Sequence, residues 1–130
     1  MQIVILSYPE TWDTAGGPEP FRPWTPLEAF GSLACHQSTT LPEFLERALR
    51  ADILVTTEFP LRRELLDYAT RPQIILVPTD RMTSLVELSI AKQLGIAVLG
   101  VPGDTRDAGI WVRNAAETLA DHMRSANRQK

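Results

Sequence analysis

The sequence predicts an α/β domain built on a parallel sheet, and three observations carry that prediction. Five short apolar runs rich in β-branched residues recur along the chain. Each is bounded by turn chemistry and followed by a helical pattern. The chain has 130 residues and 14.5 kDa, which is room for one ordinary core and no second. Near-continuous apolar strands suit a sheet covered on both faces, and parallel pairing requires long crossovers of the kind helices supply. Residues 1–130 are therefore read as a single domain.

The runs, in order, are Ile3 to Ser7 (IVILS), Leu33 to Gln37 (LACHQ), Asp52 to Thr57 (DILVTT), Gln73 to Pro78 (QIILVP) and Ile96 to Val101 (IAVLGV). Between the first two lies an exception. Pro9 to Pro26 holds five of the ten prolines with Gly16, Gly17, Trp12, Phe21 and Trp24. That segment, about 9–26, is too aromatic for disorder and is expected to be an ordered, irregular loop, serving either to pack its aromatics onto the domain or to gate a ligand or partner surface. A helix from about Thr25 to Gly31 follows it.

The remaining crossovers carry helix signals. Thr40 is placed to cap a helix with Pro42 in its first turn and Glu43 three residues on, and Leu41, Phe44, Leu45, Ala48 and Leu49 form its apolar face. Leu61 to Tyr68 reads as a short helix closed by Arg71-Pro72. Ser84 is read as the cap of a helix over Leu85 to Leu94, stopped by Gly95. Asp107 caps the last helix, 108–124, whose Arg124 and Arg128 favour the negative end of the helix dipole. Its apolar positions Ile110, Trp111, Ala115 and Leu119 are expected either to cover the sheet or to support a homodimer.

Composition narrows the partners. Thirteen basic against sixteen acidic residues give a net charge of -3 and no basic field for nucleic acid. A lone Cys35 forms no internal disulfide, and MQIVIL is too short for a membrane span and has no basic start, so a soluble, cytoplasmic protein is expected. Cys35 and His36 are neighbours on a strand and point to opposite faces, which rules them out as a thiolate-imidazole pair. His122 reads as a solvated helical residue, and no His/Cys set has metal-ligand spacing.

Five strands in βα alternation suggest a three-layer flavodoxin-like arrangement, sheet order 2-1-3-4-5 with right-handed crossovers. In such a sheet the cleft opens beyond the carboxyl ends of the strands, between the first and third. That puts Tyr8, Thr56, Thr57 and Glu58 at the cleft beside Ser7, with Thr79, Asp80, Arg81 and Met82 next to them and Arg106 facing across from the last turn. A phosphate-accepting receiver would need acidic residues after the first strand, where Ser7-Tyr8-Pro9 stand, and a lysine after the fifth, where Gly103-Asp104 stand. A flavin phosphate loop is likewise opposed by Pro9, Glu10, Trp12 and Asp13. The glycines nowhere make G-x-G-x-x-G, so the strand-to-helix turn "GVPGDTRDAG" is not a dinucleotide loop.

The order "ADILVTTEFPLRRELLDYATRPQIILV" followed by "VELSIAKQLGIAVLGVPGDTRDAGIWV" resembles the substrate domain of the D-isomer specific 2-hydroxyacid dehydrogenases, the formate and glycerate dehydrogenase type. Phe59-Pro60-Leu61-Arg62-Arg63-Glu64-Leu65-Leu66 matches that family's T-P-L-T-x-E-L-L, Val86-Glu87 its Val-Asp, and Ala91 to Val98 its A-x-x-x-G-I-x-V turn. The resemblance implies that the nicotinamide site and the catalytic side chains belong to a following Rossmann domain, before which this sequence stops. It also implies a glycine-containing turn after the fourth strand that holds the substrate carboxylate. Here Pro78-Thr79-Asp80-Arg81-Met82-Thr83 has no glycine, and Asp80 repels a carboxylate unless Arg81 neutralises it.

The expectation is a stand-alone binding or regulatory module for a small-molecule carboxylate or a protein partner. It carries no catalytic, metal or cofactor residue of its own, and NAD is implied only where a partner supplies the Rossmann domain. The alternatives are one half of a split NAD-dependent oxidoreductase and a mainly structural dimer.

Overall fold

The computed structural model describes residues 1–12, 22–69 and 72–128, with 22, 127 and 128 described by backbone alone. Asp13, Gly16, Gly17, Phe21 and Arg71, named above, lie outside the described residues, as do the rest of residues 13–21 of the expected 9–26 loop and the Arg128 side chain. Five strands form one parallel sheet in the order β2-β1-β3-β4-β5: β1 (Gln2–Ser7), β2 (Ser32–Cys35), β3 (Ile53–Thr56), β4 (Ile74–Pro78) and β5 (Ala97–Val101). This is the predicted order. Gln37 falls outside β2, whose pairing with β1 ends at Ile5 and Cys35, but it stays tied to β1: its carbonyl accepts from the Tyr8 amide at 3.3 Å and its side-chain amide donates to the Tyr8 carbonyl at 3.0 Å.

Successive residues of a strand point to opposite faces, and β1 divides its side chains accordingly. Ile3 and Ile5, with Ile53, Val55 and Leu76, meet Trp24 and Leu27 of a 3-10 helix (Arg22–Phe30) and Trp111, Val112, Ala115 and Leu119 of the last helix. Val4 and Leu6, with Leu54, Ile75 and Val77, meet the helices of the other layer. These are α1 (Leu41–Leu49), α2 (Arg63–Leu66), α3 (Met82–Leu85) and α4 (Leu88–Gln93). The last helix is α5 (Ala108–Arg128). Among the described residues no helix is long and apolar enough to cross a membrane.

Local chemistry explains most boundaries. In α1 the Thr40 hydroxyl accepts from the Glu43 amide while the Glu43 carboxylate accepts from the Thr40 amide, a complete capping box. Gly95, at φ 76°, takes the left-handed turn that ends α4. The Asp107 carboxylate accepts from the Ile110 amide at 3.1 Å and caps α5.

Three expectations are corrected. The helix expected from Thr25 is a 3-10 helix starting at Arg22; its three-residue period stacks Trp24, Leu27 and Phe30 on one face against the core, and Pro23 and Pro26 supply no amide for an α-ladder. Ser84 caps no helix over Leu85 to Leu94: its hydroxyl donates to the Arg81 carbonyl instead. Val86 is drawn into an isolated parallel bridge with Leu61, and that bridge splits the segment into α3 and α4 and delays α2 until Arg63. Of the two roles expected for the apolar face of α5, covering the sheet is the one the structure shows, since Trp111, Ala115 and Leu119 are fully buried, with Ile110 49% exposed.

Cys35 and His36 face opposite ways, as the strand period requires. Cys35 packs partly buried against the Trp24 side, and His36 lines a groove with Val4 and Ala34 on the other. Burial, with a smaller push from Glu28, raises the Cys35 thiol from 9.0 to about 12. The folded chain holds that proton at pH values where the unfolded chain loses it, so the contribution to stability is intact below about pH 9 and is lost as pH rises towards 12. Iodoacetamide at pH 8 is therefore expected to alkylate the native thiol at least tenfold more slowly, in order of magnitude, than the urea-unfolded one; equal rates would refute the burial.

Candidate functional site

The carboxyl ends of β1 and β3 meet at the point where the chain leaves the sheet in opposite directions, and side-chain hydroxyls organise that point. Thr56 Oγ1 donates to the Phe59 carbonyl at 2.9 Å and accepts from the Phe59 amide at 2.8 Å. Its proton is thereby committed, so in the 3.0 Å contact between the two hydroxyls Ser7 donates and Thr56 accepts. Ser7 Oγ in turn accepts from the Glu58 amide at 3.1 Å and the Phe59 amide at 3.0 Å. Thr57 donates to the Ser7 carbonyl at 3.3 Å, and Arg81 Nη1 to the Thr57 carbonyl at 3.3 Å. One hydroxyl pair thus fixes the 57–60 turn, and one arginine ties that turn to the loop after β4.

On the other side of β1, the loop after β2 closes the rim. Thr39 donates to the Leu6 carbonyl at 2.6 Å, and Arg47 Nη1 holds the Ser38 carbonyl at 2.9 Å and the Thr39 hydroxyl at 2.6 Å. The result is a shallow cleft of about 210 Å³ lined by Ser7, Gln37, Ser38, Thr39, Glu58, Phe59 and Pro60. The Phe59 ring stacks on Phe44 of α1 at 5.6 Å, which seats the cleft on the core.

The expected site residues separate on inspection. Thr56, Thr57 and Glu58 come together with Ser7, and Arg81 reaches them through Thr57. Thr79, Asp80 and Arg81 form one exposed 3-10 turn after β4, and Met82 opens α3 partly buried. The Tyr8 ring is buried with Trp12 at 6.0 Å and Trp24 at 5.9 Å, inside the aromatic cluster of the core. Arg106 donates to both carboxylate oxygens of Asp104, from Nε to Oδ1 at 3.0 Å and from Nη2 to Oδ2 at 2.8 Å. That pairing holds the Asp104 carboxyl below its ordinary range and lifts the guanidinium above its own. The Trp12 indole donates to the Thr105 carbonyl at 2.8 Å, so this turn is a corner pinned to the core.

Gln37, Ser38, Thr39, Phe59 and Pro60 line the cleft and were missed in the sequence. The 2-1-3 order contains the signal for the first three, because it places the loop after β2 beside β1, across from the loop after β3. A second groove, about 370 Å³, lies between β2 and α1 and is lined by His36, Glu43, Glu46, Arg47 and Arg50. Its charges are paired within α1, Arg47 with Glu43 at 3.0 Å and Arg50 with Glu46 at 3.6 Å. Burial and then Arg47 lower the His36 pKa there. Among the described residues no three His, Cys, Asp or Glu side chains form a metal-binding group.

No protein-family profile and no curated protein sequence matches the chain. Solved structures do match it. An acyclic imino acid reductase, Bsp5, in complex with NADPH and D-Arg, superposes with a TM-score of 0.63 at 16% identity, covering 78% of this chain and 31% of that one. Apo D-lactate dehydrogenase from Escherichia coli gives 0.61 at 18% identity, covering 79% and 31%. A putative D-3-phosphoglycerate dehydrogenase from Ralstonia solanacearum gives 0.61 at 17%, covering 79% and 30%. This chain thus spans about three-tenths of the length of the proteins it matches, and its fold is that of a segment shared by D-2-hydroxyacid dehydrogenases.

Proposed function

We propose that this chain is a 2-hydroxyacid-dehydrogenase-like substrate domain that acts as a binding module, taking a small carboxylate or a protein segment in the cleft between β1 and β3 without performing hydride transfer by itself. The observation that carries this reading is the commitment of the Ser7 and Thr56 hydroxyls. Both are engaged in fixing the 57–60 turn, which makes them braces of a preformed rim and leaves neither as a nucleophile or acid. Arg81, tied to the 57–60 turn through Thr57 though outside the lining of the cleft, is the cation this reading assigns to a ligand carboxylate, while Glu58 in the lining opposes a ligand of high negative charge.

The test is chemical-shift mapping of the chain with short 2-hydroxy and 2-oxo acids, paired with calorimetry against NAD and NADP. Shifts are expected at Ser7, Ser38, Thr39 and the 57–60 turn, diminished by Arg81→Ala, with no nicotinamide binding. Saturable nicotinamide binding at about micromolar affinity, or oxidation of a 2-hydroxy acid by the chain alone, would overturn the proposal.

The three-tenths coverage favours one second reading, the substrate half of an oxidoreductase whose cofactor half lies outside the given sequence. That reading requires NADH turnover of a 2-oxo acid on mixing with a separately expressed Rossmann-type domain and none with either component alone.

A further inference from the structure

Glu58 is the only charged side chain in the lining of the cleft between β1 and β3. The protons that this rim could offer to a ligand anion are largely committed. Ser7 donates to Thr56, Thr39 to the Leu6 carbonyl and one Gln37 amide hydrogen to the Tyr8 carbonyl, while the Glu58 and Phe59 amides both go to Ser7 Oγ. The Glu58 carboxylate, by contrast, is exposed and receives no hydrogen bond or ion pair among the described residues. In the larger groove between β2 and α1 the acids are already answered, Glu43 by Arg47 and Glu46 by Arg50. The cleft therefore presents an unanswered negative charge, and the ligand group that complements it is a cation.

Arg81 holds the opposite charge next to it. Its Nη1 donates to the Thr57 carbonyl at 3.3 Å, and that carbonyl belongs to the peptide joining Thr57 to Glu58. A peptide unit is planar and rigid, so the guanidinium is seated on the same unit from whose far end the Glu58 side chain springs. No ion pair joins Arg81 to Glu58. An α-amino acid bears a carboxylate and an ammonium on one carbon, which are the two charges required to lie between them. Phe59 and Pro60 supply the apolar part of the lining, and at about 210 Å³ the cleft is smaller than most ligand pockets, so it suits a short side chain.

We propose that the cleft selects α-amino acids over 2-hydroxy and 2-oxo acids, with the ligand ammonium on the Glu58 carboxylate and the ligand carboxylate on Arg81. The inference rests on reading the cleft as a site for small carboxylates and narrows it to the zwitterionic ones. A 2-hydroxy acid offers Glu58 only a neutral hydroxyl, and a 2-oxo acid offers it no proton at all. Each keeps the first anchor and loses the second. Glu58 and Arg81 are both exposed, so each ion pair has the strength of a surface pair and binding is weak. Selectivity rather than affinity is what this arrangement supplies.

The experiment is a chemical-shift titration of the chain near neutral pH with alanine and with lactate, both enantiomers of each, up to about 100 mM to cover affinities weaker than millimolar. The two ligands match in size and differ by an ammonium in place of a hydroxyl. For at least one configuration, half-saturation at Ser38 and the 57–60 turn is expected about fivefold or more lower for alanine than for lactate, the factor that one exposed ion pair supplies. Glu58→Gln should abolish that difference by weakening alanine alone, and Arg81→Ala should weaken both ligands. Circular dichroism checks that the variants are folded, and the comparison of the two ligands on the parent chain stands without them. Lactate that binds as tightly as alanine, or a preference for alanine that survives Glu58→Gln, overturns the inference and leaves the carboxylate reading in place. Shifts from neither ligand, or alanine binding unmoved by Arg81→Ala, overturn the carboxylate reading and the inference with it.

Discussion

Trp111→Ala is expected to destabilise the domain by about 3 to 5 kcal/mol, the range for emptying a fully buried aromatic site. Trp111 sits in the first turn of α5 with no exposed surface and packs on Trp12 at 5.9 Å and on Trp24 at 6.3 Å, edge to face. These rings join the chain before β2 to its last helix, so a cavity at Trp111 loosens two distant segments together. Trp12 then loses a wall and, with it, the geometry of its 2.8 Å bond to the Thr105 carbonyl, which pins the turn leading into α5. Among the described residues the Trp111 indole N–H finds no hydrogen-bond partner, and neither does that of Trp24. The loss is consequently one of packing, and Trp111→Phe should be markedly milder than Trp111→Ala. Urea unfolding of both variants checks this; an alanine variant within about 1 kcal/mol of the parent would show that the cluster does not hold α5 to the sheet.

How far the sequence reveals this molecule depends on how local each cause is. The capping box of Thr40 and Glu43, the Asp107 cap and the left-handed Gly95 are decided within four residues, and all three are legible in the sequence. The apolar runs are equally legible, and with βα alternation they lead to the sheet order. The split of the segment around Ser84 is not, because its cause is Leu61, twenty-five positions from Val86 in the chain. The leucines of α1 show the same limit. Helical spacing marks Leu41, Leu45 and Leu49 as apolar neighbours of Phe44 and Ala48, but only the width of the sheet beneath decides which of the five are covered. For the cleft, the switch-point rule locates Thr56, Thr57 and Glu58. It has no means of showing that Tyr8 turns inward to meet Trp12 and Trp24 or that Arg106 is taken by Asp104.

The brace beneath the cleft is the sharpest instance, and Ser7→Ala tests it. Ser7 and Thr56 are 49 positions apart, and either alone reads as a minor polar residue at a strand end. Together they accept from the Glu58 and Phe59 amides and close the turn on itself. Removing the Ser7 hydroxyl deprives the Glu58 amide of its 3.1 Å acceptor and leaves Phe59 with Thr56 alone. Ser7 is buried, so water does not simply replace the lost acceptor, and a cost of about 1 to 3 kcal/mol follows. Thr56→Val should cost a similar amount, and the double variant Ser7→Ala with Thr56→Val less than the sum, because the two hydroxyls serve one turn. The Glu58 amide should also exchange its hydrogen at least about tenfold faster in Ser7→Ala, while amides in the middle of β3 follow only the global change in stability. Strict additivity, or a Glu58 amide as protected as in the parent, would mean that the 57–60 turn is held by something other than this pair. The cleft would then have lost the rigid rim on which its binding role rests.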